Sequence, residues 1–109
     1  MDKCIFCKIR DGEIPSPKLY EDSDFFIISD INPKAKRHYL AIPKRHYALL
    51  DEVTSDDEIV LARVLRKLPM LKEELGLSNG YRLIINQGSD GGQEVPHLHI
   101  HILGGEKLN

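Results

Sequence analysis

The 109-residue chain has no tryptophan, few aromatic residues of any kind (6%) and only two cysteines. No apolar stretch approaches the roughly 20 residues that a bilayer-spanning helix needs, so the sequence predicts no membrane partner. Cys4 and Cys7 lie too close together and are too few to form a disulfide framework. Met1-Asp2-Lys3-Cys4 carries no secretory pattern, so a reducing, cytoplasmic compartment is expected. Charge of one sign is lacking too: fifteen Lys+Arg stand against seventeen Asp+Glu, a net −2, which argues against a general nucleic-acid binder. No linker, repeat or low-complexity tract divides the chain, and a single domain over 1–109 is expected. Its core is small, which favours a homo-oligomer.

Hydrophobic spacing and turn signals predict an α+β fold, with a mainly antiparallel five-stranded sheet, one long helix and a short N-terminal helix. Ile5, Phe6 and Ile9 suit one face of a short helix within Met1–Arg10, ended by Asp11-Gly12. Strands are predicted at Lys18–Glu21, Phe25–Ile28, His38–Ile42, Gly80–Asn86 and His97–Leu103. The long helix is predicted over Ser55–Leu75, with Ser55 and Glu58 as a capping box and Gly76 as the stop. Leu61, Val64, Leu65, Leu68, Leu71 and Leu75 form its apolar face, and Pro69 should kink it.

His97-Leu98-His99-Ile100-His101-Ile102-Leu103 is the informative stretch. Side chains alternate across a strand, so His97, His99 and His101 share one face while Leu98, Ile100 and Ile102 pack on the other. Neighbouring rings have Cα atoms roughly 6.6 Å apart, so one phosphate group could touch two of them. Like charges penalise one another, so at least one ring should stay neutral and nucleophilic. A three-histidine metal site or a merely polar sheet face would use the same residues. Just upstream, Gly88, Gly91 and Gly92 can bring backbone N–H groups close to an anion. Without Gly-Lys-Ser/Thr and a following helix, this loop is no P-loop, and alone it would read as a hairpin turn.

The chain resembles the histidine-triad nucleotide-binding proteins, on the Hint-like side of that family. The resemblance rests on the alternating histidines and on further segments: Cys4–Ile9, Gly12–Ser16, Asp30–Pro33, Ile42–His46 and Gly88–Val95. It implies hydrolysis or transfer at the α-phosphorus of a purine nucleotide, such as a nucleoside phosphoramidate, with no cofactor needed for catalysis. The middle histidine, His99, would be the nucleophile, forming a nucleotidyl-histidine that water then cleaves. His101 would contact phosphoryl oxygens, and the backbone carbonyl or the His97 side of the strand would fix the ring of His99. Asn86, Gln93 and the N–H groups from Gly92 to Val95 match phosphate contacts. Asp30 matches a ribose-binding carboxylate, though a turn residue before Asn32-Pro33 is equally good chemistry. Ile5, Phe6, Ile9, Ile28 and Ile31 match an apolar slot for the purine, though for any one of them taken alone core is the more common role. The resemblance also implies a homodimer in which the long helices pair and the sheets join edge to edge.

Alone, Cys4-x-x-Cys7 fits a redox pair, half a zinc site or two small buried residues. The resemblance to zinc-bearing relatives supplies His46 and His97 as partners, giving a structural Zn²⁺ with four protein ligands. His38 is expected at the surface, without a role. Glu94 stands where relatives often carry serine; partial burial would let it protonate a departing amine, and otherwise it is a solvent-facing loop residue. The competing activities are dinucleoside polyphosphate hydrolysis, which the glycine loop fits less well, and nucleotide-binding scaffolding, against which the intact His99 argues.

Overall fold

The computed structural model describes residues 3–109. Its elements run α1 (Ile5–Arg10), β1 (Tyr20–Glu21), β2 (Phe25–Ser29), β3 (Arg37–Pro43), a 3₁₀ turn (Leu50–Glu52), α2 (Ser55–Leu71), β4 (Tyr81–Ile84) and β5 (Ile100–Gly104). The five strands form one sheet in the order β1-β2-β3-β5-β4, every pair antiparallel. The expected α+β architecture is therefore present. Met1 and Asp2 of the predicted first helix lie outside the described residues.

Each face of the sheet has its own buried cluster. Phe25, Ile27, Tyr39, Ala41, Ile100 and Ile102 pack with Val64 and Leu68 of α2 and with Leu75 and Leu77 beyond it. On the opposite face Phe26, Ile28, Leu40 and Ile42 pack with Phe6 and Ile9 of α1. Coverage on both sides explains why β2 reads Phe-Phe-Ile-Ile rather than alternating. His101 of β5 falls on the α1 face, because Ile100 and Ile102 point to the other.

Four expectations shift. Leu65 is 53% exposed: Val64 and Leu68 define the buried stripe, and Leu65 lies one step around the helix from it. The regular helix ends at Leu71, two residues after Pro69, and loosens into turns that still bury Leu75 and Leu77. The capping box is Thr54 with Asp57, not Ser55 with Glu58. Lastly, β5 pairs only from Ile100, so His97 and His99 precede the ladder. Pro43 explains this: it has no N–H to continue the ladder, its carbonyl accepts from the His97 ring, and Leu98 N–H turns to Tyr47 O at 2.7 Å.

The cap moved because Asp57 does two things at once. It accepts from Thr54 N–H at 3.0 Å, and Arg45 Nε donates to it at 2.8 Å, while its own N–H reaches Thr54 Oγ1 at 3.2 Å. That ties the start of α2 to the segment carrying His46. The Arg45 guanidinium, then Thr54, hold the buried Asp57 carboxyl well below the usual carboxylate range. A carboxyl so depressed binds protons more readily in the unfolded chain, so its contribution is complete above about pH 4 and fades as pH falls below it. We expect Asp57→Asn to lower unfolding free energy by about 1–3 kcal/mol at neutral pH. The gap to the parent should narrow in urea melts below pH 4; an unchanged melt at neutral pH would contradict this assignment.

Candidate active site and metal centre

The protons on the histidine rings can be assigned from their partners. His99 Nδ1 lies 2.7 Å from the carbonyl oxygen of His97, and a carbonyl only accepts. The ring must therefore donate from Nδ1, which in the neutral form leaves Nε2 bare. Of the two groups expected to orient His99, the main-chain carbonyl is the one in contact with its ring. The His97 ring is fully buried and faces the cysteines.

His38 corrects the sequence reading most. It is 5% exposed, and its Nε2 lies 2.9 Å from His101 Nδ1 and 3.3 Å from Asp30 Oδ2. Lys34 N–H donates to His38 Nδ1 at 3.0 Å, so the proton of neutral His38 sits on Nε2 and is given to His101. His101 Nδ1 accepts, and its own proton is on Nε2, 3.4 Å from Asn86 Nδ2. Two donors thus converge where an anion could accept from both. Burial pushes the proton affinity of His38 and His101 down, and Asp30 works against that shift in both. The signal missed was alternation along β3: His38 shares a face with Leu40 and Ile42, both buried.

Cys4 Sγ, Cys7 Sγ, His46 Nδ1 and His97 Nδ1 lie within 4.8 Å of one another. Individual separations are 3.4 Å (Cys4–His97), 3.3 Å (Cys7–His46), 3.7 Å (Cys7–His97) and 3.1 Å (His46–His97). Tetrahedral zinc bonded to sulfur and nitrogen puts neighbouring donors about 3.3–3.8 Å apart, so the cluster already approximates that geometry. His97 Nε2 donates to Pro43 O at 2.7 Å, which frees Nδ1 to ligate. Burial is the main cause holding the His97 pKa down at about 4, so that nitrogen stays unprotonated at neutral pH. Burial, and then the Cys4 thiol, push the Cys7 thiol up, a shift that a divalent cation among the four donors would reverse. The residues fit zinc.

Asp30, His38 and His101 also bring three donor atoms within 4.8 Å. Here the Lys34 amide places the His38 proton on Nε2, the atom a metal would need. This second cluster is a hydrogen-bond chain.

The glycine loop is shaped by close approach. A Cβ on Gly91 would stand 2.3 Å from the Gln87 carbonyl oxygen, and Gly88 and Gly92 have positive φ. Gln93 is a strut within the loop: its oxygen accepts from Gly88 N–H, and its NH₂ donates to Ala48 O and Val95 O. The N–H of Gly92 is taken by Ser89 O, whereas those of Glu94 and Val95 have no acceptor among the described residues. Glu94 is exposed, so the partial burial expected of a proton donor is absent; its charge raises the proton affinity of His101. Phe6 packs edge-on against His99, with ring centroids 5.1 Å apart. Ile9 and Ile28 are buried with it, Val95 packs against them, and Ile5 and Ile31 are exposed. Asp30 Oδ1 accepts from Asn32 N–H at 2.8 Å, so the turn and the site share this carboxylate.

The HIT domain family model matches residues 11–108, the triad included. The chain belongs to the HIT domain family. Among solved structures, a HIT family hydrolase from Legionella pneumophila is 45% identical with a TM-score of 0.91, covering 98% of this chain and 96% of that one. A histidine triad nucleotide-binding protein from Candida albicans is 38% identical with a TM-score of 0.81, covering 92% and 73%. A zinc-bound histidine triad family protein from Mycobacterium smegmatis is 34% identical with a TM-score of 0.84, covering 99% and 81%. Cys4 and Cys7 precede the residues that the family model matches, so the family match itself says nothing of the candidate metal centre in this HIT chain. No helix among the described residues is long and apolar enough to cross a membrane.

Elemental analysis of tag-free protein should find about one zinc per chain. Cys4→Ser should lower both that content and the melting temperature. Metal-free protein of unchanged stability would make the cysteines two buried thiols.

Proposed function

We propose that this HIT protein is a nucleotidyl hydrolase or transferase acting at the α-phosphorus of purine nucleoside phosphoramidates or related nucleotides. The observation that carries the reading is the His99 ring, donating from Nδ1 to the His97 carbonyl at 2.7 Å and keeping Nε2 free to attack. Attack forms a bond from Nε2 to phosphorus and breaks the bond from phosphorus to the leaving amine, which takes a proton from solvent water; the water that attacks in the second step gives a proton back to solvent. The His97 carbonyl stabilises the positive charge that develops on the ring. Water then attacks phosphorus, releasing the nucleoside monophosphate and restoring His99. His101 Nε2–H, Asn86 and the N–H groups of Glu94 and Val95 are the donors for the non-bridging oxygens. Phe6 lies beside His99 as the wall for the base, and the lone pairs of Asp30 left by its turn receive the ribose hydroxyls.

Two carboxylates, Asp30 and Glu94, act on His101, a field better suited to a neutral or cationic leaving group than to a polyphosphate. A bound zinc would fasten Cys4, Cys7, His46 and His97 together and, with four protein ligands, supply no open coordination position for chemistry.

The assay is incubation with an adenosine phosphoramidate and, separately, a diadenosine polyphosphate. The phosphoramidate should be the better substrate, and His99→Ala should lose on the order of 10⁴-fold or more in turnover while still binding AMP. Preference for the dinucleotide would assign the other hydrolase activity, cleavage of neither would leave a binding scaffold, and near-normal turnover by the variant would refute the nucleophile.

We also propose a homodimer. Leu65 and Met70 on α2, and Leu83 on edge strand β4 with the following Ile85, are large apolar side chains left 36–62% exposed. Light scattering at micromolar concentration should give twice the chain mass; a monomer mass would contradict the proposal.

A further inference from the structure

We propose that the Cys4–Cys7–His46–His97 centre is a clamp for the nucleotide site, so that zinc and purine nucleotide bind cooperatively, each tightening the other. The inference rests on the reading of the His99 face as the nucleotide site, and it adds a connection between two sites that share no ligand.

His97 is the first link. Its Nδ1 points into the donor cluster and its Nε2–H is held by Pro43 O, while its own carbonyl receives the His99 proton at 2.7 Å. Whatever sets the His97 residue therefore sets the acceptor that orients the nucleophile. Its neighbour Val95 completes the arrangement, since His97 N–H donates to Val95 O at 2.9 Å beside the loop N–H groups offered to phosphate.

Phe6 is the second link. It lies between the two cysteines in α1, a helix of six residues, too short to be stable by itself. The helix is capped by Cys4 Sγ, which accepts from Cys7 N–H, and both thiols belong to the cluster. Phe6 touches the His97 ring at 5.9 Å and the His99 ring at 5.1 Å between centroids, both edge-on. A cation held by Cys4, Cys7, His46 and His97 would thus fix the base wall against the nucleophile in one geometry. The donor pairs stand 3.1–3.7 Å apart, within reach of one such cation.

The coupling is one of position. Zn²⁺ with two thiolates and two neutral imidazoles carries no net charge, so loading the centre places no new field on a phosphate. Thermodynamic linkage then requires the effect to be reciprocal and equal in both directions.

The test uses full-length protein, zinc and AMP. Calorimetric titration of AMP into zinc-loaded and zinc-stripped protein should give a dissociation constant about 5–150-fold weaker for the stripped form. Competition with a chelator should show zinc held more tightly by the same factor at saturating AMP. Phe6→Leu, which keeps all four ligands, should retain zinc without AMP but bring the coupling factor towards one. This variant decides the matter even if stripping unfolds the parent, because unfolding alone would leave its coupling as large as the parent's. Equal AMP affinity with and without zinc, or full coupling in Phe6→Leu, overturns the clamp. Failure of AMP to bind the loaded protein overturns instead the nucleotide-site reading on which it stands.

Discussion

The hydrogen bond from the His99 ring to the carbonyl of His97, 2.7 Å long, fixes a side chain by fixing where its proton is. With Nδ1 committed as donor, the reactive lone pair is confined to Nε2 on the α1 face of the sheet. The acceptor must be a main-chain group held still, and the structure holds it from several directions. Pro43 and the cysteine–histidine cluster grip the His97 ring, Val95 receives its N–H, and the neighbouring Leu98 N–H is tied to Tyr47. Arg45 and Asp57 in turn secure that same segment to the start of α2. Contacts from several segments thus converge on the residue that carries this one carbonyl.

Two clusters of metal-ligating side chains, each with two histidines, sit near that bond and do opposite things. In the first, a carbonyl takes the His97 Nε2 proton and leaves Nδ1 bare among two thiols and another imidazole, the condition for binding a cation. In the second, a backbone N–H occupies His38 Nδ1 and forces the proton onto Nε2, where it orients His101 and excludes a metal. One main-chain donor in place of one main-chain acceptor separates the two outcomes. Proximity of histidine nitrogens alone would have grouped them together.

The sheet, the long helix and the second half of the histidine strand are legible in the sequence because each depends on local periodicity. The four candidate zinc ligands come from resemblance, since no spacing rule joins Cys4 and Cys7 to residues 39 and 90 positions away. What escapes depends on partners remote in sequence. His38 reads as a surface residue until β3 is paired with β5 and the Lys34 turn folds back on it. The cap of α2 moves by one residue because Arg45, twelve positions away, fixes Asp57. Gln93 proves to be a strut because the loop consumes the polar groups that its sequence offers a phosphate.

The central claim is a double displacement through His99 Nε2, and stereochemistry at phosphorus tests it most directly. A nucleoside phosphoramidate made chiral at the α-phosphorus with sulfur and oxygen isotopes would be turned over in labelled water. Two successive in-line displacements invert the centre twice, so the account predicts net retention of configuration. Net inversion would mean that water attacks the substrate directly and that His99 is no nucleophile.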